Sequence, residues 1–317
     1  IKNYDESLDL KLLAEHFCRS ADYAIDFLNQ KQDKPFFLAC GLFRPHLPWY
    51  APKKYFDLYK LDKIVLPKTK ENDLEDVPAI GKALAKAGRY DLERIRKAGK
   101  LKNAIQAYLA SISYADAQLG RVLDALAKSP HAKNTIVVLW SDHGWHLGEK
   151  NHWHKSTLWE EATRVPFIIK APGQKPGVSM RAVNLLSLYP TLNELCGLKP
   201  IASHDGDSLL PLIQNPKAEW KRPAVIEFRY GNVAVRSDRY RYIRYANGEE
   251  ELYDHKNDPN EWHNLAKSSG HQVIKAKLAV WATKKWARPA APKNRFKFNP
   301  KAYSFTNKKT GKTVSGK

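Results

Sequence analysis

The sequence predicts an α/β protein, a mostly parallel sheet between helices, followed by a small antiparallel sheet with a helix of its own. Three observations carry that expectation. Amphipathic stretches of helical length are each followed by a short apolar run, and the order repeats. The apolar runs do not alternate with polar residues, as is typical of strands covered on both faces. Beyond residue 222 the chain changes to short β-rich segments joined by tight turns, among them an Asn247-Gly248 pair.

The elements follow in order. Residues 7–30 place Leu8, Leu10, Leu12, Leu13, Phe17, Ala21, Ala24, Ile25 and Leu28 near helical spacing. Pro35 ends that helix, because proline lacks an amide donor and disfavours a helical residue before it. Residues 35–42 read as a buried strand opening into a loop at 43–49, where Pro45 and Pro48 flank His46 and restrict its backbone. Residues 50–100 read as a long charged insertion. A second helix spans 103–127, with Ile105, Tyr108, Leu109, Ile112 and Leu119 on one side. A β-branched strand at 134–140 closes on Ser141-Asp142-His143-Gly144, and another buried strand follows at 165–170. Residues 201–221 link to strands at 224–229, 232–236, 240–245 and 251–253 and a closing helix at 272–286. The expected domains are 1–215 for the α/β part, 216–287 for the antiparallel part and 288–317 for a tail. Function in such sheets collects at the carboxyl ends of strands, where His46 and Asp142 both fall.

Composition sets the class. A chain of 317 residues with 43% hydrophobic and 27% charged residues is long enough for a sizeable core, and it excludes collagen, coiled coil and global disorder. No run of eighteen apolar residues is present, so no transmembrane helix is expected. The chain opens at Ile1 without a basic-then-apolar leader, and a mature or excised piece is the expectation. Cys18, Cys40 and Cys196 are too few and too scattered for a disulfide framework. Residues 284–317 hold eleven Lys or Arg and no acid, which is +11 of the formal +20. The plain expectation for this tail is a solvated, partly disordered terminus; the sharper one is a handle for a polyanion such as a sulfated glycan. No recognition module accompanies the charge, so nucleic acid is not an expected partner.

Chemistry concentrates in a few places. Asp142 and His143, side by side at a strand end, can share one metal ion, and Gly144 lets the chain turn sharply. An aspartate there also serves as a turn former or helix cap, and a histidine as a surface residue. His143, His146, His152 and His154 are four of the eleven histidines within twelve residues, without a zinc spacing such as HExxH. Trp145, Trp153 and Trp159 interleave with them, as sugar-binding walls or as ordinary packing. Lys155 alone would be a solvated charge and His46 a loop histidine.

Taken in order, these segments resemble the type I, formylglycine-dependent sulfatases, in their iduronate-2-sulfatase-like branch. The resemblance is carried by GLFRPHLPWY at 41–50, PKKYFDLY at 52–59, SDHGWHLGE at 141–149, KSTLWEEATRVP at 155–166 and LLSLYPTL at 185–192. YRYIRYANG at 240–248, ELYD at 251–254 and NDPNEWHNL at 257–265 look like the branch's carboxy-terminal subdomain. The resemblance covers about residues 7–286. It implies an alkaline-phosphatase-like α/β fold and hydrolysis of sulfate esters, with a sulfated polysaccharide or glycosaminoglycan fragment the expected substrate partner and an exported setting. By position it implies that Asp142 and His143 ligate a calcium ion, that Lys155 contacts a sulfate oxygen and the bridging oxygen, and that His46 lies at the leaving group as acid donor or positioning hydrogen bond. Trp145, His146, His152 and Trp153 are expected to contact substrate. Calcium prefers oxygen ligands, and His143 supplies nitrogen.

One departure is large. The family's nucleophile is a formylglycine made from Cys or Ser in a Cys/Ser-x-Pro-x-Arg run, and none of the three cysteines begins such a run. The expected paired aspartates and the first lysine and histidine are missing too. The expectation is a later part of a sulfatase, with the nucleophile upstream of Ile1. The alternatives are a non-catalytic polyanion-binding fragment of the same fold, or a phosphate or phosphonate ester hydrolase of the same superfamily.

Overall fold

Small residues let the two long helices of the α/β part lie close together. The computed structural model describes residues 9–287, 296–299, 301–302 and 304–315, with side chains from residue 18 onward. In chain order its elements are α1 (Asp9–Leu28), α2 (Lys53–Phe56), α3 (Ala79–Lys97), α4 (Leu101–Lys128), β1 (Val137–Trp140), β2 (His146–Leu147), β3 (Trp153–His154), α5 (Glu160–Thr163), β4 (Phe167–Lys170), α6 (Leu188–Leu195) and α7 (Leu210–Gln214). There follow β5 (Ala224–Glu227), β6 (Val233–Arg236), β7 (Tyr240–Arg244), β8 (Glu250–Asp254), α8 (Gln272–Ala279), β9 (Phe296–Asn299), β10 (Ser304–Asn307) and β11 (Thr313–Ser315). Helix α1 packs on α4 through the buried Ala21 and Ala24. The contact is pinned by Arg121 Nη2 on Asp22 Oδ1 (2.7 Å) and by Cys18 Sγ beside the Tyr114 hydroxyl (3.0 Å).

The charged insertion contains a helix that hydrophobic periodicity does not reveal. The buried stripe of α3 is Gly81, Ala85, Gly88 and Leu92, correctly spaced but half glycine. Gly88 is where the helix backbone meets His152 and Trp153: a Cβ there would collide with the Trp153 carbonyl and the His152 ring.

Strands β1 and β4 pair antiparallel, with Trp140 opposite Phe167. Every ladder among the described residues is antiparallel, so the parallel component expected of the sheet is not made by pairs within this stretch. Residues 35–42 form no strand and pair with none among the described residues, and Phe37 is 85% exposed. An apolar run encodes coverage, not the direction or identity of the neighbour.

The antiparallel part is a meander in the order β5-β6-β7-β8. Its strands alternate between two buried faces. Ala234, Ile243 and Tyr253 pack with Val77, Ala85, Leu158 and Trp159. Val233, Val235, Tyr242 and Leu252 pack under Leu278 and Ala282. One core thus includes residues from both sides of position 215. Helix α8 ends at Ala279, earlier than the expected 286. In the basic tail, the described residues form a three-stranded meander β9-β10-β11 that is mostly exposed. Residues 1–8, 288–295, 300, 303, 316 and 317 lie outside the described residues, as do the side chains of Leu10, Leu12, Leu13 and Phe17.

Candidate active site

Three strand-end and loop segments bring four of the predicted side chains together. His46 comes from the loop after residues 35–42. Both of the loop's proline bonds, Arg44–Pro45 and Leu47–Pro48, are cis. Arg44, buried beneath the loop, donates from Nε to the Tyr50 carbonyl (2.8 Å) and from Nη1 to the His46 carbonyl (3.1 Å). Asp142 and His143 leave the end of β1. Gly144 permits a close approach there: its amide donates to the Ala162 carbonyl (2.8 Å), and a Cβ would strike the Glu161 carbonyl. Lys155 follows the β2–β3 hairpin.

Lys155 Nζ lies 2.7 Å from His143 Nε2 and 3.2 Å from His46 Nε2. Both imidazoles have Nδ1 2.8 Å from a backbone carbonyl, Gly144 for His143 and Leu47 for His46. A carbonyl only accepts, so Nδ1 carries the proton in each neutral ring and both Nε2 lone pairs face the lysine ammonium. Neutral His46 is therefore an acceptor at Nε2; it becomes a proton donor there only after taking up a second proton.

Asp142 Oδ2 is 3.7 Å from His143 Nε2, and the carboxylate side chain is 78% exposed. Two donors at that separation can meet one hard cation at roughly 2.3–2.6 Å from each. The pair fits as part of a donor set, though two donors alone do not complete the shell of a hard cation. The His143 lone pair that a cation would use is the one Lys155 holds here. A second acid and imidazole group, Glu160, His255 and Glu261, also clusters. Arg241 pairs with both of its carboxylates, Arg236 Nε lies 3.1 Å from Glu160 and His255 Nε2 lies 3.0 Å from Glu261. That cluster already has its cations.

Three of the four residues expected to contact substrate are fully enclosed in this structure. His146 (0% exposed), His152 and Trp153 (both 2%) are enclosed by this chain's own atoms and cannot wall an open cleft. His146 Nε2 bonds the Thr157 hydroxyl (2.9 Å), and burial pushes its pKa well down. His152 spans two elements: its ring nitrogens lie 3.0 Å from the Ala85 carbonyl on α3 and 2.9 Å from the Lys155 carbonyl. Burial lowers its pKa, and in the neutral ring one of the two nitrogens donates. Trp145 is 8% exposed and forms the floor, its ring 6.2 Å from His46 and 6.4 Å from His143. Ile64, Leu92, Ile105 and Trp153 pack beneath it.

Three residues escaped the sequence reading. Asp91, on α3, accepts from His154 Nε2 at 2.7 Å. Lys150 is 2% exposed, bonds Asp73 (2.9 Å) and the Glu261 carbonyl, and lies over the Tyr253 ring. Nothing in the sequence marks it, since one lysine among so many reads as solvated. Arg44, between an aromatic residue and a proline in the His46 loop, offered the only local signal.

The α/β part with its small antiparallel carboxy-terminal sheet has the alkaline-phosphatase-like fold. Solved structures with that fold agree. A phosphonate monoester hydrolase from Silicibacter pomeroyi superposes with a TM-score of 0.71 at 23% identity, over 87% of this chain and 59% of its own. A 2-O GAG sulfatase superposes with a TM-score of 0.66 at 25% identity, over 88% and 65%. The sulfatase family profile matches residues 18–198, and the N-sulphoglucosamine sulphohydrolase C-terminal profile matches residues 148–285. A sulfatase of Formosa agariphila is 43% identical over 280 residues, 85% of this chain and 55% of that protein. Human iduronate 2-sulfatase is 33% identical over 225 residues, 57% and 40% respectively. The chain belongs to the sulfatase family, and it spans about half the length of the curated relatives it matches.

Proposed function

We propose that these residues form the leaving-group and cation-binding side of a centre that hydrolyses sulfate esters of sulfated carbohydrates. The observation that carries the reading is Lys155 Nζ within bonding distance of both His46 Nε2 and His143 Nε2. Relatives and neighbours named as an ulvan-active sulfatase and a 2-O GAG sulfatase support the carbohydrate class. The net charge of +20 favours an anionic polymer over a small ester by raising encounter rates.

The nucleophile is a formylglycine on a polypeptide segment outside these 317 residues. When present, its hydrated aldehyde would supply the nucleophile toward sulfur, and the bond from sulfur to the sugar oxygen would break with the sugar leaving as a protonated alcohol. Lys155 offsets charge building on the bridging oxygen and on a sulfate oxygen. His46, with its tautomer fixed by the Leu47 carbonyl, accepts from the Lys155 ammonium and positions it, and Lys155 gives a proton to the departing sugar oxygen and regains one from water. Asp142 and His143 would hold a divalent cation, calcium in this reading, whose charge would offset that of the sulfate. An exported setting is part of this reading by the family resemblance alone. No helix among the described residues is long and apolar enough to cross a membrane.

The test is turnover of an aryl sulfate by the intact protein. Lys155→Ala is expected to cut kcat by about 10²–10³-fold, the size of losing one charge-stabilising donor, and His46→Ala by a comparable factor. Near-normal turnover in both variants defeats the assignment. Mass spectrometry of the intact protein is expected to find formylglycine, and its absence would point to the non-catalytic polyanion-binding alternative. Aryl phosphonate hydrolysed faster than aryl sulfate would move the reading to the phosphonate esterases.

A further inference from the structure

The carboxyl-terminal end of α3, the turn after it and the start of α4 form a basic cleft beside the candidate site, and we infer that it is a subsite for a sulfated sugar unit of the substrate chain distinct from the unit being desulfated. The inference rests on the sulfated-carbohydrate reading above and deepens it.

Residues 94–102 contain Arg94, Arg96, Lys97, Lys100 and Lys102 and no acid, and all five cations are exposed. Among the described residues Lys97, Lys100 and Lys102 have no carboxylate within 4.0 Å, while Arg94 reaches Asp91 at 3.6 Å. A merely solvated helix end would present these charges on a convex polar surface. Here Leu61, Arg96, Gly99, Leu101, Lys102 and Asn103 line a cleft of about 440 Å³. Gly99, at φ +64°, lets the chain reverse between the helices, so Arg96 from α3 and Lys102 from α4 line one hollow, with Lys97 and Lys100 next to them in the chain. Two leucines give an apolar floor, and Arg96, Lys102 and Asn103 give donors around it. A pyranose has an apolar C–H face and, when sulfated, an anionic edge; Arg presents a planar fork that suits the three terminal oxygens of a sulfate ester.

The cleft is tied to the reacting centre. Asp91 Oδ2 accepts from His154 Nε2 at 2.7 Å, and Arg96 Nη1 donates to Asn151 Oδ1 at 3.3 Å. His154 precedes Lys155, and its ring lies edge-on to Trp145 at 5.0 Å. Asp91 and Arg96 are five residues apart, about 7.5 Å along the helix axis. An oligosaccharide with one ester at Lys155 extends over the cleft; a small aryl sulfate does not reach it.

The test uses the intact protein and a heparin octasaccharide at low salt, with its desulfated counterpart as control. Lys100→Glu/Lys102→Glu is expected to weaken octasaccharide binding about tenfold, through loss of two attractive charges and gain of two repulsive ones, and to leave aryl sulfate turnover unchanged. Lys128→Glu/Lys133→Glu, exposed at the far end of α4 and just beyond it, makes the same change in net charge and is expected to change binding less than twofold. Equal losses in both double variants, or no loss in the first, overturn the subsite. A selective loss in a protein that hydrolyses no sulfate ester leaves the subsite standing and sinks the catalytic reading. Aryl sulfate turnover without a selective loss does the reverse.

Discussion

Gly88 shows how much one residue decides here. It has no chemistry, yet the absence of its Cβ lets α3 touch the backbone and ring of the two residues that precede His154 and Lys155. His152 then bonds Ala85 on the helix and faces the Lys155 carbonyl, so the position of the ammonium depends on how closely α3 approaches. Gly88→Ala is expected to cost about 1–3 kcal/mol, the usual range for overpacking against atoms that cannot move away. Urea denaturation reads the loss as a lower midpoint with unchanged slope; a midpoint equal to wild type would show that the contact is slack. The four converging side chains were legible only because several segments resemble one family in the right order. Spacing alone left Asp142 as a turn former and Lys155 as a solvated charge, and it offered nothing to show that His152 and Trp153 are enclosed.

The β2–β3 hairpin is the element that delivers Lys155, and it was invisible in the sequence. Its strands are two residues each, too short to show alternation. Lys150, Asn151, His154 and Ser156 all adopt positive φ, 54°, 45°, 83° and 75°, a conformation disfavoured for residues with a Cβ. Four such residues around Lys155 need support from outside the hairpin. Lys150 supplies it by pairing with Asp73 and the Glu261 carbonyl in a site closed to water. Burial pushes the Asp73 carboxyl up, and the Lys150 ammonium pulls it back. Lys150→Ala leaves that carboxylate buried without its partner and is expected to cost about 3–5 kcal/mol. Lys150→Ala/Asp73→Ala removes both charges and should cost clearly less than the sum of the single changes. Strict additivity in the cycle would show that the pair holds nothing in place.

Across the whole molecule the antiparallel sheet was the best-read region, because one Asn-Gly turn and regular strand spacing are local signals. Its dependence on the rest of the chain was not, because it lies in charged contacts between distant segments. Glu160, at the start of α5, meets Arg241 and Arg236 from β7 and β6, and its side chain is 13% exposed. Burial alone would raise its carboxyl pKa, but the two guanidinium groups outweigh it and hold the value at about 2, against an ordinary 4.5. A carboxylate with a depressed folded pKa binds protons more readily in the unfolded chain. The stability it contributes is full above pH about 4.5 and is lost as pH falls toward about 2, on the order of 3 kcal/mol over that interval. Glu161 acts in the opposite sense: burial first, then neighbouring Glu149, Glu261 and Glu160, raise it to about 7, so its ionisation weakens the fold as pH rises from about 4.5 through 7. Its partial exposure makes that effect small. Glu160→Gln is therefore expected to start with a lower melting temperature at pH 5 and to lose less of it between pH 4.5 and 2 than the wild type does. Other carboxylates titrate in the same interval, so the difference between the two curves is the quantity that reports on Glu160. If the curves stay parallel down to pH 2, the link from α5 to β6 and β7 carries no acid-sensitive stability, and the sheet is held by its two apolar faces alone.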